Sequence, residues 1–151
     1  MSRFQELDDL LSSDEEDYYY QDLFLHAEEL VEELGEDDIS SLLDAWSERD
    51  LSWCDRFSQA CVALKQPILL RLIERAIVSS QKISPTLGLM TRLPKQADQS
   101  EFYLLLLNYF EKIWHEHPEC HRQVQMCAWS CGLSGRLLKR LSYVSWKDAG
   151  L

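Results

Sequence analysis

Turn formers and sheet formers are both scarce in this chain. Its 151 residues include only 5 Gly and 4 Pro, and runs rich in Val, Ile and Thr are few. That weighs against a sheet and in favour of helices. No stretch of about 18 apolar residues occurs, so no membrane span is expected. The start, Met1 to Leu11, lacks the basic and apolar pattern of a secretory leader, so the expected address is cytoplasmic. In that compartment the 5 Cys read as reduced thiols, and an odd number excludes complete pairing within one chain. There is no Gly-rich phosphate loop, no Gly-x-Ser-x-Gly and no His-Glu-x-x-His. No catalytic constellation and no cofactor are therefore expected.

Cations are nearly missing from the first third of the sequence. Residues 1–50 hold 18 Asp+Glu but only Arg3 and Arg49, a net −16, whereas residues 51–151 carry a net +5; the whole chain stands at −11. Such a balance argues against direct docking on nucleic acid, which repels acid. It suits a basic protein partner, because opposite potentials speed encounter. The plainer reading is that the acid keeps the protein soluble. The expected partner-binding surface comprises Asp14, Glu15, Glu16, Asp17, Asp22, Glu29, Glu33, Glu36, Asp37 and Asp38, together with Tyr18. Tyr18-Tyr19-Tyr20 directly follows the first acidic run. Three successive tyrosines spread over most of a helix circumference, so at least one is expected to lie exposed beside acid. Tyrosine there brings large contact area at low entropic cost. The alternative is that Tyr19 and Tyr20 cover the edges of the core.

The apolar residues recur with helical spacing. With 46% of the chain hydrophobic, a single helical domain over 1–151 is expected, residues 1–13 forming a loosely attached segment. Ser12 to Asp17 offers caps and then acids, a good helix start. The helix that follows buries Leu23, Ala27, Leu30, Val31 and Leu34, and Gly35 stops it. Further stripes comprise Ile39, Leu42, Leu43 and Trp46; then Trp53, Phe57, Ala60, Cys61 and Leu64, capped by Ser52; then Ile68, Leu69, Leu72, Ile73, Ala76 and Ile77. Ser84-Pro85 opens a short helix, and Pro94 to Ser100 reads as the longest loop. A later helix buries Phe102, Leu105, Leu106, Tyr109, Phe110, Ile113 and Trp114. Its partner begins at Pro118 and includes Val124, Cys127, Ala128 and Cys131. A last helix carries Leu137, Leu138, Leu141 and Val144. Short turns predict antiparallel neighbours. Pairs starting near residues 37, 67 and 100 repeat at about thirty-two residues, in the range of helical repeats. Trp46, Arg56 and Cys61 echo Trp114, Arg122 and Cys127. The expected fold is all-α: a short, irregular solenoid of stacked antiparallel helix pairs.

Two other clusters carry chemistry. His115, His117, Cys120 and His121 include zinc-ligand types within seven residues, and an alternative reading is a metal-dependent enzyme using them. Pro118 interrupts the helix between the histidines, however, and the spacing fits no standard finger, so a polar turn is the favoured reading and no metal ligand is assigned. Cys120, Cys127 and Cys131 share one helical face, as buried cysteines do. The stripe Arg136, Lys139, Arg140 is too short to imply nucleic-acid binding; it would serve equally to pair with acids of the same chain.

The segment Leu42-Leu-Asp-Ala-Trp-Ser-Glu-Arg-Asp-Leu-Ser-Trp53-Cys-Asp-Arg56-Phe-Ser-Gln-Ala60 is an apolar helix, a charged turn, then a Trp and an Arg opening the next helix. It resembles the pattern of small helical-repeat proteins related to HEAT and armadillo arrays. Among these are immunity proteins of bacterial contact-dependent growth inhibition and other polymorphic toxin systems. The resemblance covers Asp37 to Leu64, and the rest of the chain only in architecture. It implies a cytoplasmic inhibitor that binds a toxin domain, often a nuclease, and it transfers no binding residues; the acidic charge makes the expected toxin domain a basic one, and the lack of a catalytic constellation makes the expected inhibitor non-enzymatic. The alternative of the same class is a general helical-repeat adaptor with no toxin involved.

Overall fold

The computed structural model describes residues 2–20, 22–78, 82–93 and 101–148. Among them no strand occurs. The helices are α1 (Arg3–Leu11), α2 (Glu15–Tyr20), α3 (Leu23–Glu33), α4 (Ile39–Glu48), α5 (Leu51–Ala60), α6 (Gln66–Val78), α7 (Ile83–Met90), α8 (Glu101–Glu116), α9 (His121–Ser130) and α10 (Ser134–Asp148), with 3-10 turns at Glu36–Asp38 and Pro118–Cys120. The protein is all-helical, as its periodicity predicts. Among the described residues no helix is long and apolar enough to cross a membrane. The expected loop from Pro94 to Ser100 lies outside the described residues. The chain divides into two compact units, Met1–Arg92 and Leu93–Leu151.

In the first unit the most extensive contacts join helices two apart in the chain: α1 lies on α3, α3 on α5 and α5 on α7, and α4 meets α6. The sequence pattern leads one to expect successive helices side by side, and α2–α3 and α6–α7 do pack so. The added contacts between alternate helices trace to α5, which buries Trp53, Cys54, Arg56, Phe57, Ser58 and Ala60. Those residues occupy more than one face, so α5 needs partners on several sides. Phe57 joins two elements: its ring stacks on Trp53 at 5.5 Å and meets Trp46 of α4 edge-on at 6.3 Å. Gly88 of α7 lies against Ser58, where an added Cβ would fall well inside contact distance of the Ser58 hydroxyl.

Residues 3–11, part of the segment expected to be loosely attached, form α1. Ser2 caps it by accepting from the Gln5 amide at 3.2 Å, and Leu7 and Leu11 are fully buried. Burying each side chain contributes about 2 kcal/mol. The single helix expected from Ser12 to Leu34 is two. Asp14, not Ser12, caps α2, accepting from the Asp17 amide at 2.9 Å. Asp22 then adopts a left-handed conformation, φ 56°, and α3 starts in a new phase. Asp50, rather than Ser52, caps α5 through the Trp53 amide at 2.9 Å. The stripes of α3, α4 and α6 are otherwise as expected, with Leu23, Leu43 and Ile77 only half-buried.

In the second unit α8 packs on α9 and α10, and α9 on α10. Here the stripe of α8 is as expected at Leu106, Tyr109, Phe110 and Ile113 and rotated slightly at its edges. Tyr103, Leu106, Leu107, Tyr109, Phe110 and Ile113 are buried, while Leu105 is 44% exposed and Phe102 and Trp114 are half-buried. Four consecutive leucines, Leu104 to Leu107, fit either phase, so the pattern alone does not choose. Gly132 ends α9 with φ 76°, as its place after the stripe suggests. Leu137 of α10 is buried and Leu138 is exposed; the Val144 side chain lies outside the described residues.

Candidate partner-binding surface

The first unit contains 20 acidic and 8 basic residues, a net −12. A helix leaves its last carbonyls unpaired and its C-terminus negative, and the basic residues of this unit are drawn to those ends. Past α1, Arg56 Nη1 donates to the carbonyls of Leu11 at 3.1 Å and Ser13 at 2.6 Å. At the end of α3, Lys65 Nζ donates to Glu32 and Leu34 at 3.1 and 2.7 Å, and Arg3 Nη1 to Glu33 at 3.1 Å. Lys82 Nζ donates to the carbonyls of Trp46 and Arg49 at the end of α4. Arg92 Nη2 reaches the Gln59 carbonyl of α5 at 3.2 Å. Arg49 makes a two-pronged pair with Asp8, at 3.0 and 2.6 Å, and the Trp53 indole donates to the same carboxylate at 2.9 Å. Six of the eight cations thus serve the backbone or Asp8. Most of the acids face solvent.

The expected surface residues fall into three groups. Asp14, Glu15, Glu16 and Asp17 lie at the start of α2, with Asp17 half-buried and the others exposed. The neighbouring Asp14 charge raises the Asp17 carboxyl above its ordinary value. Glu29 and Glu33 occupy one exposed face of α3. Glu29 pairs with His26 at 3.6 Å, and Glu33 with Arg3 at 3.5 Å. His26 also meets Glu6 of α1 at 3.1 Å, which raises the imidazole above its ordinary value, with Glu29 adding to the effect. Glu36, Asp37 and Asp38 form the 3-10 turn, where Asp38 accepts from the Gly35 amide at 2.9 Å. Asp22 is exposed at the α2–α3 break.

Tyr18 is not a surface residue. It is 2% exposed, because the short α2 turns it toward α5, where the Arg56 guanidinium stands 4.6 Å from its ring centre. Burial pushes its hydroxyl up to about 12. Tyr19 takes the exposed position, at 43%, with its ring edge-on to Tyr18 at 5.1 Å. The Tyr20 side chain lies outside the described residues. Sequence reasoning also missed Phe24 and Glu28. They join Tyr18, Tyr19, Gln59 and Ala60 around a pocket of about 170 Å³. Arg56 entered the sequence reading only through its echo of Arg122 and its place in the Leu42–Ala60 pattern; its burial, at 7% exposure, was not expected.

The histidine cluster is organised by local contacts. His121 stacks on Trp114 at 3.7 Å, and its Nε2 lies 2.7 Å from the Trp114 carbonyl. His117 pairs with Glu119 at 3.1 Å, and His115 is exposed. Among the described residues no three His, Cys, Asp or Glu converge as a metal site. Cys54, Cys61, Cys127 and Cys131 are buried and Cys120 is half-buried. Burial pushes the Cys54 thiol up to about 11, away from the reactive range. In the basic stripe, Arg140 pairs with Glu111 at 3.5 Å and donates to Asn108 at 2.6 Å. The echo between Arg56 and Arg122 stops at sequence, since Arg122 is exposed. The chain matches no protein-family model, no curated protein and no solved structure.

Proposed function

We propose that this chain is a cytoplasmic, non-enzymatic immunity protein that neutralises a basic toxin domain, of nuclease type, by occluding it. The observation that carries the reading is the division of charge in the first unit. Six of its eight cations are tied to helix C-termini or Asp8, so most of its exposed acids are not offset and a net negative field faces solvent. Such a field steers a positively charged domain and mimics the phosphate that a nuclease binds. The resemblance of Asp37 to Leu64 to helical-repeat immunity proteins supports the same reading.

The test begins with copurification from the native cell and mass spectrometry. A basic toxin domain as the retained partner supports the proposal; partners of no common charge or activity point to a general adaptor. Binding kinetics with the partner then address the surface. Replacing Glu29 and Glu33 together by Gln should slow association at low salt while leaving the fold intact, since both side chains are exposed. Unchanged association and no dependence on salt would remove the α3 face from the interface.

A further inference from the structure

The pocket formed by α2, α3 and α5 has the composition of a cation cradle. Tyr18 and Tyr19 supply two rings, Phe24 a third, Glu28 a carboxylate and Gln59 an amide. Aromatic faces attract cations through the ring quadrupole. These rings already do so within the protein, because the Arg56 guanidinium lies 4.6 Å from the Tyr18 ring centre and 5.8 Å from that of Tyr19. Arg56 does not line this pocket; it belongs to the neighbouring cleft, beside Asp14 and Asp50. Among the described residues no cation forms an ion pair with Glu28. At about 170 Å³ the pocket is well below the roughly 300–1,000 Å³ of small-molecule sites. It is suited to one side-chain head group and is too small for a nucleotide or cofactor.

We infer that this pocket receives an arginine side chain of the basic partner, its guanidinium on the Tyr19 and Phe24 rings and its N–H groups donating to Glu28 and Gln59. Arginine is favoured over lysine because the guanidinium is planar, weakly hydrated and stacks on aromatic faces. The inference rests on the reading of the protein as a binder of basic partners, and it names the subsite at which that binding becomes specific.

The probe is an acetylated, amidated Gly-Arg-Gly peptide, compared with its citrulline counterpart, which keeps the shape and loses the charge. Both are titrated into the full chain at low salt and followed by two-dimensional NMR of backbone amides. The arginine peptide should shift the amides of Tyr19, Phe24 and Glu28 saturably, and the citrulline peptide should not. Tyr19→Leu and Glu28→Gln should each weaken binding about fivefold or more. Equal binding of citrulline overturns the inference without any variant having to fold. So do shifts scattered over the acidic surface, or unchanged affinity in both variants. Salt-sensitive binding that depends on Glu29 and Glu33 but not on Tyr19 or Glu28 overturns the pocket and leaves the acidic face standing. Arginine shifts confined to the pocket, with a native partner that ignores both salt and the Glu29/Glu33 replacement, sustain the pocket and remove the acidic face.

Discussion

A guanidinium at position 56 ties three segments together: it caps the end of α1 and covers Tyr18 of α2 from its place on α5. Arg56→Met would keep much of the apolar stem but leave two carbonyls without their donor. The expected loss is about 2 kcal/mol or more in urea unfolding, and Arg56→Lys should recover part of it. A second residue-scale expectation concerns Asp8. Its carboxyl is held below the ordinary 3.8, first by the Arg49 hydrogen bond and then by the Trp53 indole, against the opposing effect of burial. A depressed folded value means that the contribution is fully present above the unfolded value and is lost as pH falls through the folded one. Asp8→Asn should therefore cost about 1–2 kcal/mol at neutral pH, discounted because Arg49 is partly solvated. The two stability curves should converge below pH ~3.8. Asp17 and Asp55 are shifted upward and act with the opposite sign, so the difference between the curves isolates Asp8. The acids of this surface were legible as composition. Tyr18 was not, because its burial depends on where α2 stops, and a left-handed Asp22 has no clear mark in the sequence.

Helices with one apolar stripe and clear stops, α3, α4, α6 and α9, were legible from spacing alone. α1 was not, since its polar surface hides two leucines at i, i+4. The edges of the α8 stripe were not, because the run Leu104 to Leu107 spreads leucine beyond its buried face. The order of packing was equally hidden, because it depends on how many faces each helix buries. The α5–α7 contact offers a direct check on that order. Glycine inside a helix costs about 0.5–1 kcal/mol relative to alanine, yet at Gly88 a methyl group would displace the Ser58 hydroxyl. Gly88→Ala alone should be neutral or destabilising. In a Ser58→Ala background, where the nearest remaining atom is the Cβ of residue 58 at 3.5 Å, it should stabilise by about 0.5–1 kcal/mol. Chemical denaturation of the four proteins of this cycle should show a coupling of about 0.5 kcal/mol or more. Additive effects would mean that α5 and α7 are not in contact at this point.

Over the whole molecule, charge acts against stability. The first unit carries −12, and like charges on a compact body repel. Added salt should therefore raise the midpoint of thermal unfolding. The rise should be steepest between about 0.01 M and 0.15 M ionic strength, where the screening length falls from about 30 Å to about 8 Å. A flat or falling midpoint would show that local ion pairs outweigh the repulsion. The same arrangement governs how this protein responds to amine chemistry. Lys65 and Lys82 are the only lysines before residue 93, and both amines are engaged on carbonyls at the ends of α3 and α4. Acylation of either one removes the charge and the donors that a helix terminus relies on. A lysine-directed label, cross-linker or conjugating enzyme acting at either position therefore competes with a helix terminus for the amine.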